Sequence, residues 1–344
     1  MRSWKFWLGV VISVACLAWA LQGKDFGSMW ESLKTAQYLW ILPGIAVYFV
    51  GVWVRSWRWH YMLRPLKKIP TRTMFPIVCI GYMGNNIYPA RAGEVLRAVV
   101  LKRREGVPIS ASLATVVVER IFDGVVMLAF VFLNLPELAR LTGTSGVVGG
   151  LNIRDLTLIG AIAFFGALLV FLLAAMFPKV SERIVNWLID RFLPLKIREK
   201  TRGLALRFLS GLESLRSPAD ALMIFLTTVL IWLLETGKYW FVMHAFPQIN
   251  VSFFALMLMN GIVNLMTTLP AAPGYVGTFD APGIALLQAY GVNGNIATSY
   301  TLVLHLALWA PITALGAYYF LREGFKWGQK IDKIDSSDKI EEAA

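Results

Sequence analysis

Two charged clusters interrupt apolar stretches of this sequence and could bind a small ionic group. One lies in NNIYPARAGEVLR, residues 85–97, and the other lies in TVVVERIFDGVVMLAFVF, residues 115–132. Their charged members are Arg91, Glu94, Arg97, Glu119, Arg120 and Asp123. Arginine presents a planar fork that binds phosphate through two parallel hydrogen bonds, whereas carboxylates balance that charge or bind a cationic group. The residue types therefore favour binding of a phosphate-containing or ionic ligand.

A further charged pair, Glu235 and Lys238, lies inside the apolar segment 220–244. An ionisable group at the centre of a bilayer costs about 2.5–3.5 kcal/mol, so such groups face the protein interior. Each cluster has two interpretations, a ligand site or a structural ion-pair cluster that neutralises itself. Asn85 and Asn86, beside the first cluster, either bind the same ligand or only cap the backbone.

Composition predicts an integral membrane protein. Hydrophobic residues make up 57% of the 344 residues, charged residues make up 16%, and mean hydropathy is +0.60. An average soluble domain carries about 25% charged residues. The net charge of +12 comes from basic residues between apolar segments. It therefore indicates membrane orientation and not nucleic-acid binding.

The sequence contains no pattern typical of a catalytic or metal centre. Cys16 and Cys79 lie within apolar segments, and the three histidines have no ligand-like spacing. Phosphate-binding glycine loops and hydrolase nucleophile motifs are absent from the sequence. We therefore predict no metal, no cofactor, no catalytic residue and no enzymatic activity.

Six segments are long and apolar enough to cross a bilayer, which takes about 20 residues. They are 6–22, 39–59, 110–134, 155–177, 220–244 and 296–321. The first could instead be a signal peptide, because Ala18-Trp19-Ala20 loosely resembles a cleavage site. An uncleaved span is favoured because the symmetry between the two halves of the chain requires it.

Loop charges predict the orientation of these spans. Residues 55–72 contain six Lys and Arg and no acid, and 91–104 contain five against Glu94. The segments 23–38 and 136–155 are balanced in charge. Because basic loops remain in the cytoplasm, both termini are predicted to be cytoplasmic, in what we expect to be a prokaryotic cell membrane.

Two apolar regions must then begin and end on the same side of the membrane. Residues 73–90 are predicted to dip in from the cytoplasm and return, and 251–290 to do the same from outside. Each half of the chain thus has three spans and one re-entrant helical hairpin, with opposite orientations. Broken segments at corresponding positions of two inverted halves indicate a transport site.

Both hairpins contain the pattern PxxxG followed by an acid, Glu94 in the first and Asp280 in the second. The residues predicted to break the hairpins are Pro89, Gly93, Pro270, Pro273, Gly274 and Gly277. The predicted fold is therefore all-α and membrane-embedded, with a first repeat over 1–135 and a second over 155–321. Residues 178–218 are predicted to form a basic amphipathic insert on the anionic inner leaflet, and 322–344 a charged cytoplasmic tail.

The motifs resemble those of the lysylphosphatidylglycerol synthase transmembrane-region family, which is also found in multiple peptide resistance factors. The resemblance rests on NxxYPARAGEVLRAVVL and ISASLATVVVERIFDGVV within 85–126, and on LPAAPGYVGTFDAPGIALLQAYGV at 269–292. It implies translocation of lipids between leaflets, of aminoacylated phospholipids in the best-known members and of polyprenyl-phosphate sugars in others. Many relatives carry a Glu close after the second glycine of this motif, where this sequence has Gly-Thr-Phe-Asp280.

Members that synthesise the lysyl-lipid carry an additional aminoacyltransferase domain, which these 344 residues lack, so translocation is favoured over synthesis. The predicted substrate-binding residues are Asn85, Asn86, Arg91, Glu94, Arg97, Glu119, Arg120, Asp123, Glu235, Lys238 and Asp280. The expected partner is a membrane lipid with an anionic headgroup, and an oligomer is compatible with the sequence. Two alternatives remain: a transferase that uses Glu119 and Asp123 on a lipid-linked substrate, or a non-catalytic partner of a lipid synthase.

Overall fold

The structure is a computed structural model that describes most of the chain. The described residues are 4–88, 91–134, 147–148, 151–152, 162, 166, 169, 173, 177–192, 194, 198–199, 201–203, 217–268 and 272–324. Pro89 and Pro270, most of the predicted span 155–177, and the tail from 325 onward lie outside them.

Helices account for nearly all of the described residues. Their bounds are α1 (Trp4–Leu21), α2 (Phe26–Lys34), α3 (Ile41–Leu63), α4 (Thr71–Ile87), α5 (Ala92–Glu105), α6 (Ile109–Leu133), α7 (Pro178–Phe192), α8 (Pro218–Met243), α9 (Phe253–Met266), α10 (Asp280–Ala289) and α11 (Gly294–Arg322). Short 3-10 helices cover Tyr38–Trp40 and Pro273–Tyr275, and the two-residue strands β1 (Val147–Val148) and β2 (Leu151–Asn152) pair antiparallel.

Three helices of the described part are long and apolar enough to cross a membrane. They are Tyr38–Leu63, Pro218–Met243 and Gly294–Arg322. A fourth candidate is the pair Gly9–Leu21 and Phe26–Lys34, which is bent by 85°. Together with the composition, these helices make the chain an integral membrane protein of the all-α class.

The bend between α1 and α2 has a local cause in the sequence. Asp25 caps α2, since its carboxylate accepts from the backbone N–H groups of Gly27 at 3.0 Å and Ser28 at 3.1 Å. Hydrogen bonds from Ser28 and from these N–H groups hold the pKa of Asp25 below its usual value. The segment 23–38, predicted to be an outer loop, therefore contains a short capped helix.

The predicted bounds of the first hairpin need correction. Residues 73–90 were expected to contain both limbs, but α4 is one helix of 17 residues. The return limb is α5, and the chain turns between Tyr88 and Arg91. The physical reason is packing: the apolar side of α4, including Met74, Ile77 and Met83, is fully buried, which keeps the helix unbroken up to the turn.

Gly93 also has a different role from the predicted one. It lies in the first turn of α5 and is not a break in the helix. A Cβ on Gly93 would overlap the carbonyl oxygen of Gly81 and would meet the backbone nitrogen of Asn85 at 2.5 Å. Glycine is therefore required because α4 and α5 cross in backbone contact, as small residues permit in membrane helices.

The second hairpin consists of α9 and α10, separated by an irregular segment that includes the 3-10 helix Pro273–Tyr275. Gly274 and Gly277 have positive φ angles of 74° and 81°, which glycine adopts without steric cost. Both helices lie within residues 251–290.

Several helix ends lie together at one end of the bundle. They are the end of α3, the start of α4, the end of α5, the start of α8 and the end of α11. Three ion pairs join these ends at 2.9 Å, namely Arg64–Asp220, Lys67–Glu105 and Arg104–Glu323. The pair between Lys67 and Glu105 places the start of α4 beside the end of α5. The first hairpin therefore enters and leaves the bundle at this end.

Different elements meet at the opposite end. The backbone N–H of Gln37, before α3, donates to the carbonyl of Ala245, after α8, at 2.8 Å. Asn295 at the start of α11 accepts from the backbone N–H of Asp25 at 3.1 Å. Because α9 follows α8 and α10 precedes α11, the second hairpin enters and leaves here. The two hairpins therefore point toward each other from opposite ends.

The described part of the predicted insert is mainly α7. Its large side chains Val180, Ile184, Trp187 and Phe192 are exposed and follow helical spacing, whereas Ile189 is buried. This pattern agrees with an amphipathic helix that leaves an apolar face uncovered by the protein. Most of 193–216 lies outside the described residues.

Candidate functional site between the hairpin tips

The turns of the two hairpins meet in the middle of the bundle. Arg91, which precedes α5, donates from Nη2 to the carbonyl oxygen of Thr267 at 3.1 Å. Its guanidinium carbon lies 5.9 Å from the ring centre of Tyr275. Asn86, near the end of α4, donates to the hydroxyl of Thr313 on α11 at 2.7 Å. These contacts join the first tip to the second tip and to α11.

Arg91 and Tyr275 also share an unusual backbone conformation. Their φ angles are 54° and 60°, and they are the non-glycine residues with positive φ among those that the structure describes. Each occupies the third position of the PxxxG pattern in its half of the chain. Such conformations cost about 1–3 kcal/mol each and concentrate at functional sites.

A cavity of about 170 Å³ opens beside this contact. The charged side chains that line it are Arg55, Arg91, Arg120, Glu235 and Lys238. Its aromatic side chains are Tyr48, Tyr82, Trp232, Tyr275, Phe279 and Trp309, and its other polar members include Asn85, Asn86, Asn264, Thr267 and His305. A smaller cavity of about 30 Å³ shares Arg55, Tyr82, Asn85 and Arg120 with it and adds Arg58, Glu94, Arg97 and Glu119. The site thus combines guanidinium forks with amides and aromatic faces.

Arg58 lies at the centre of the innermost ion cluster. Its Nη1 donates to Asp123 Oδ1 at 2.6 Å, and its Nη2 lies 3.4 Å from Glu119 Oε1. Arg97 donates to the second oxygen of Glu119, and Trp232 donates from Nε1 to Asp123 at 3.1 Å. Arg58, Glu119 and Asp123 are at most 3% exposed. The cluster therefore joins α3, α5, α6 and α8 through buried side chains.

A second cluster lies between α3 and α8. Arg55 donates from Nη2 to Glu235 Oε1 at 3.0 Å, and Lys238 forms an ion pair with the other oxygen of Glu235. The Lys238 ammonium lies 4.5 Å from the ring centre of Tyr48. A cation over an aromatic face is stabilised by the quadrupole of the ring. One carboxylate thus holds two cations at the wall of the larger cavity.

A third cluster faces the cavity more openly. Arg120 donates from Nη2 to Glu94 Oε1 at 2.8 Å and lies 3.6 Å from Asp123 Oδ2. Arg91 is the other cation near Glu94, at the longer distance of 3.9 Å. The side chains of Arg120 and Arg91 remain 45% and 27% exposed. These two arginines are therefore the cations best placed to contact a ligand.

Asp280 supports the second tip from behind the cavity wall. It is 1% exposed, accepts from the backbone N–H of Gly277 at 2.9 Å, and lies 2.8 Å from His305 Nδ1. His305 Nε2 lies 2.8 Å from the carbonyl oxygen of Gly274. His305 therefore bridges the carboxylate of Asp280 and the backbone of the turn through its two ring nitrogens. Asp280 and His305 thus hold the turn in shape.

The structure brings most of the predicted site residues together. Asn85, Arg91, Glu94, Arg97, Glu119, Arg120, Glu235 and Lys238 line one or both cavities, as does Asn86. Asp123 and Asp280 lie just behind the walls. Pro273 and Gly274 are in the second turn, whereas Pro89 and Pro270 are outside the described residues.

Sequence reasoning missed Arg55 and Arg58, which it assigned to a cytoplasmic loop. The helix α3 continues to Leu63, so both residues lie well inside it. Their spacing of three, which puts them near one another on one helix side, was the available signal. It also missed Tyr275, whose role depends on the fold of the turn.

The arrangement favours ion binding over acid–base catalysis. Glu119 and Asp123, which a transferase would use as acid and base, are each paired with arginine, and Asp123 is 2% exposed. Within the described part of the chain, no cluster of His, Cys, Asp or Glu could hold a metal ion. The chemistry that these residues offer is recognition of an anionic group by arginine.

Comparison with known proteins places this site in a family. The description "Lysylphosphatidylglycerol synthase TM region" matches residues 6–316. A UPF0104 membrane protein of Methanothermobacter thermautotrophicus is 26% identical over 92% of this chain and 92% of its own length. A UPF0104 membrane protein of Pyrococcus horikoshii is 23% identical over 92% of this chain and 95% of its own.

A relative with a more specific name is the glycosyltransferase AglD of Haloferax volcanii. It is 26% identical over 90% of this chain, which spans about half, 52%, of that longer protein. No solved structure matches the chain. Since the family match covers almost all of the sequence, both charged clusters and both hairpins included, the chain belongs to the family of the lysylphosphatidylglycerol synthase transmembrane region.

Proposed function

We propose that this protein translocates a lipid with an anionic, phosphate-containing headgroup between the leaflets of the membrane. The observation that carries the proposal is the cavity between the two hairpin tips. Four cations line its larger part, Arg55, Arg91, Arg120 and Lys238, against the single carboxylate of Glu235. Arginine forks in a site of low dielectric bind phosphate strongly, and a polar cavity inside a helix bundle offers a headgroup a path through the membrane.

The proposed architecture is a pair of inverted repeats with two re-entrant hairpins. This proposal is supported by the positions of the two hairpins. The hairpin α4–α5 enters the bundle at the ion-paired end, and the hairpin α9–α10 enters at the opposite end. The left-handed residues Arg91 and Tyr275 occupy equivalent places in the two PxxxG patterns. Non-helical backbone at membrane depth is tolerated where it lines a cavity.

The proposed orientation puts the ion-paired end in the cytoplasm, with both termini. The support is the excess of basic residues in 55–72 and 91–104. With this orientation α7 would lie along the inner leaflet, its exposed apolar side chains in the lipid and its basic residues near anionic headgroups. We place the protein in a prokaryotic cell membrane, which the archaeal relatives support.

The proposed path needs only the headgroup to cross. Acyl chains would remain in the surrounding lipid while the phosphate passes the tips. Arg91 would release the carbonyl of Thr267 and bind a phosphate oxygen instead, and Arg120 would bind beside it. Exchange of a neutral acceptor for an anionic one strengthens the hydrogen bond, so the ligand itself would favour opening of the tips.

The test is a headgroup-accessibility assay with the full chain reconstituted into vesicles that contain fluorescent phosphatidylglycerol. We expect probe from the inner leaflet to become accessible to an external quencher faster than in protein-free vesicles. Arg91→Gln should slow this exchange by about tenfold or more, because a hydrogen bond to a charged group contributes about 1.5–3 kcal/mol. Arg72→Gln, an exposed arginine outside both cavities, is the matched control and should exchange at the native rate.

Two results would count against the proposal in different ways. If the native chain exchanges neither fluorescent phosphatidylglycerol nor fluorescent phosphatidic acid faster than empty vesicles, translocation is wrong. If Arg91→Gln exchanges as fast as the native chain, the site assignment is wrong while translocation stands. Exchange by the purified chain alone would also exclude the role of a passive partner to a separate synthase.

The second candidate function is that of a transferase acting on a lipid-linked substrate. The name of the relative AglD, a glycosyltransferase, favours it. However, the match covers only about half of that relative. Consumption of a lipid-linked sugar donor by the purified chain would support this alternative, and the ion pairing of Glu119 and Asp123 argues against these two as acid and base.

A further inference from the structure

The charges around the two cavities do not balance. The cations that line the cavities are Arg55, Arg58, Arg91, Arg97, Arg120 and Lys238. The carboxylates that line them or bind these cations are Glu94, Glu119, Asp123 and Glu235. Among the described residues, the site therefore carries two positive charges in excess. The undescribed residues at the tips, 89–90 and 269–271, have no ionisable side chains.

Asp280 and His305 are not counted in this balance. His305 lies between the carboxylate of Asp280 and the carbonyl oxygen of Gly274, at 2.8 Å from each. Among the described residues, Asp280 and His305 pair with each other and not with the cations or carboxylates counted above.

Each of the four carboxylates already has two cations within ion-pair distance. Glu119 contacts Arg58 and Arg97, Asp123 contacts Arg58 and Arg120, Glu235 contacts Arg55 and Lys238, and Glu94 contacts Arg120 and Arg91. A cationic headgroup would find no carboxylate free of a competing cation among them. The excess charge lies instead on the cavity side, where Arg91 is 3.9 Å from its nearest carboxylate oxygen and Arg120 is 45% exposed.

We propose that this cavity selects a lipid whose headgroup ends in a phosphate monoester over phosphodiester and aminoacylated headgroups. A phosphate monoester carries about −1.5 to −2 charges near pH 7, which neutralises the excess. A phosphodiester carries one negative charge and leaves half of the excess uncompensated. An aminoacylated phosphodiester with two ammonium groups is a net cation and increases it. Uncompensated charge is costly inside a membrane.

This inference rests on the site of the proposed translocation, but its test is binding and does not need transport. The purified full chain in neutral detergent is incubated with phosphatidic acid, phosphatidylglycerol and lysylphosphatidylglycerol of identical acyl chains, and the bound lipids are counted by native mass spectrometry. We expect phosphatidic acid to be bound at least fivefold over phosphatidylglycerol, and lysylphosphatidylglycerol to be bound least.

Two neighbouring substitutions supply matched variants with opposite effects. Arg91→Gln lowers the excess to one positive charge and should reduce the ratio of phosphatidic acid to phosphatidylglycerol severalfold. Glu94→Gln raises the excess to three and should maintain or increase that ratio. Both side chains are partly exposed, and a change in shape alone would not move the ratio in opposite directions.

Several results would overturn the inference. Equal or preferred binding of phosphatidylglycerol by the native chain contradicts it, and so does a fall of the ratio in both variants. A competition experiment adds inorganic phosphate at the same concentration as the lipid, to test whether the site binds free phosphate. If inorganic phosphate displaces all of the bound phosphatidic acid, the site is not a lipid site. If the chain speeds headgroup exchange in vesicles but shows no preference for phosphatidic acid in binding, the inferred selection by charge is wrong and the proposed translocation stands.

Discussion

Arg58 shows how one side chain can determine the arrangement of four helices. It extends from α3 to Asp123 and Glu119 on α6, donates to Thr228 on α8 at 3.0 Å, and shares Glu119 with Arg97 on α5. A buried charge is stable only when paired and hydrogen-bonded. The cluster therefore fixes which faces of these helices meet.

Arg58→Gln is expected to destabilise the folded protein strongly. It leaves Asp123 and Glu119 buried with fewer cations, and loss of one partner of a buried ion pair costs about 3–5 kcal/mol. The measurement is the thermal unfolding midpoint of the purified chain in detergent. Arg64→Gln is the control, because its pair with Asp220 has a 45% exposed arginine and such pairs contribute about 0–1 kcal/mol. Equal midpoints for the two variants would contradict the structural role of Arg58.

At the scale of single residues, the sequence predicted the acidic members of the site better than the basic ones. A carboxylate inside an apolar stretch, such as Glu119 or Glu235, has no common explanation other than a buried partner. Arg55 and Arg58 lie near the end of an apolar stretch, where membrane proteins ordinarily carry basic residues. Their burial depends on the extra turns of α3 before Leu63 and on the partners that α6 and α8 provide.

Among the elements, the helix pair α4–α5 depends on backbone contact. Gly84 and Gly93 face each other, and a Cβ on Gly84 would meet the Cα of Gly93 at 2.6 Å. The contact sets the distance between the limbs and hence the position of Arg91 at the tip.

Gly93→Ala is expected to separate α4 from α5 and to lower the yield of folded protein severely. The added methyl group would overlap backbone atoms, which cannot move aside as a flexible side chain can. Size-exclusion chromatography of the detergent-solubilised variant measures this as a loss of the monodisperse peak. Gly51→Ala in α3 is the matched helical control, because its Cβ would meet only Leu234 at 3.9 Å. Alanine at this position should stabilise the helix by about 1 kcal/mol relative to glycine. A normal peak for both variants would show that the close approach is not required.

At the scale of elements, the sequence predicted a break in each hairpin but misjudged the bounds of the first. Charges and Pro89 at the end of an apolar stretch predicted a turn, and α4 ends at Ile87 and α5 begins at Ala92. The return limb α5 was not recognised because Lys102, Arg103 and Arg104 make its second half resemble a loop. Leu96, Val99 and Val100 are buried in one apolar cluster with Met74 and Ile77 of α4, which is a tertiary effect that charge counting does not detect.

The whole molecule is organised by its two ends. Ion pairs close one end, whereas the described contacts at the other, between Gln37 and Ala245 and between Asp25 and Asn295, are hydrogen bonds. Which of the two ends faces the cytoplasm is a prediction from the loop charges. Most of the segment 153–176, which would complete the second repeat, is outside the described residues, so the number of spans remains a prediction.

Single cysteines in a background with Cys16→Ser and Cys79→Ala should report the orientation. Lys68→Cys, exposed at the ion-paired end, should react with a membrane-impermeant thiol reagent only in inverted vesicles. Gln248→Cys, exposed between α8 and α9, should react only in vesicles that keep the cellular orientation. Reaction of both positions from the same side would disprove the entry of the two hairpins from opposite faces.

The helix α11 binds both tips at once. Thr313 accepts from Asn86 of the first tip, and His305, two turns earlier, binds Gly274 and Asp280 of the second. Eight residues of helix, with Pro311 among them, separate these two points by about 12 Å. Both hairpin tips are thus attached to the same helix, and displacement of one tip would strain the contacts of the other. For the translocation proposed above, opening of one tip toward its leaflet would then be coupled to the contacts of the other tip, which would keep the proposed polar route from standing open to both sides at once.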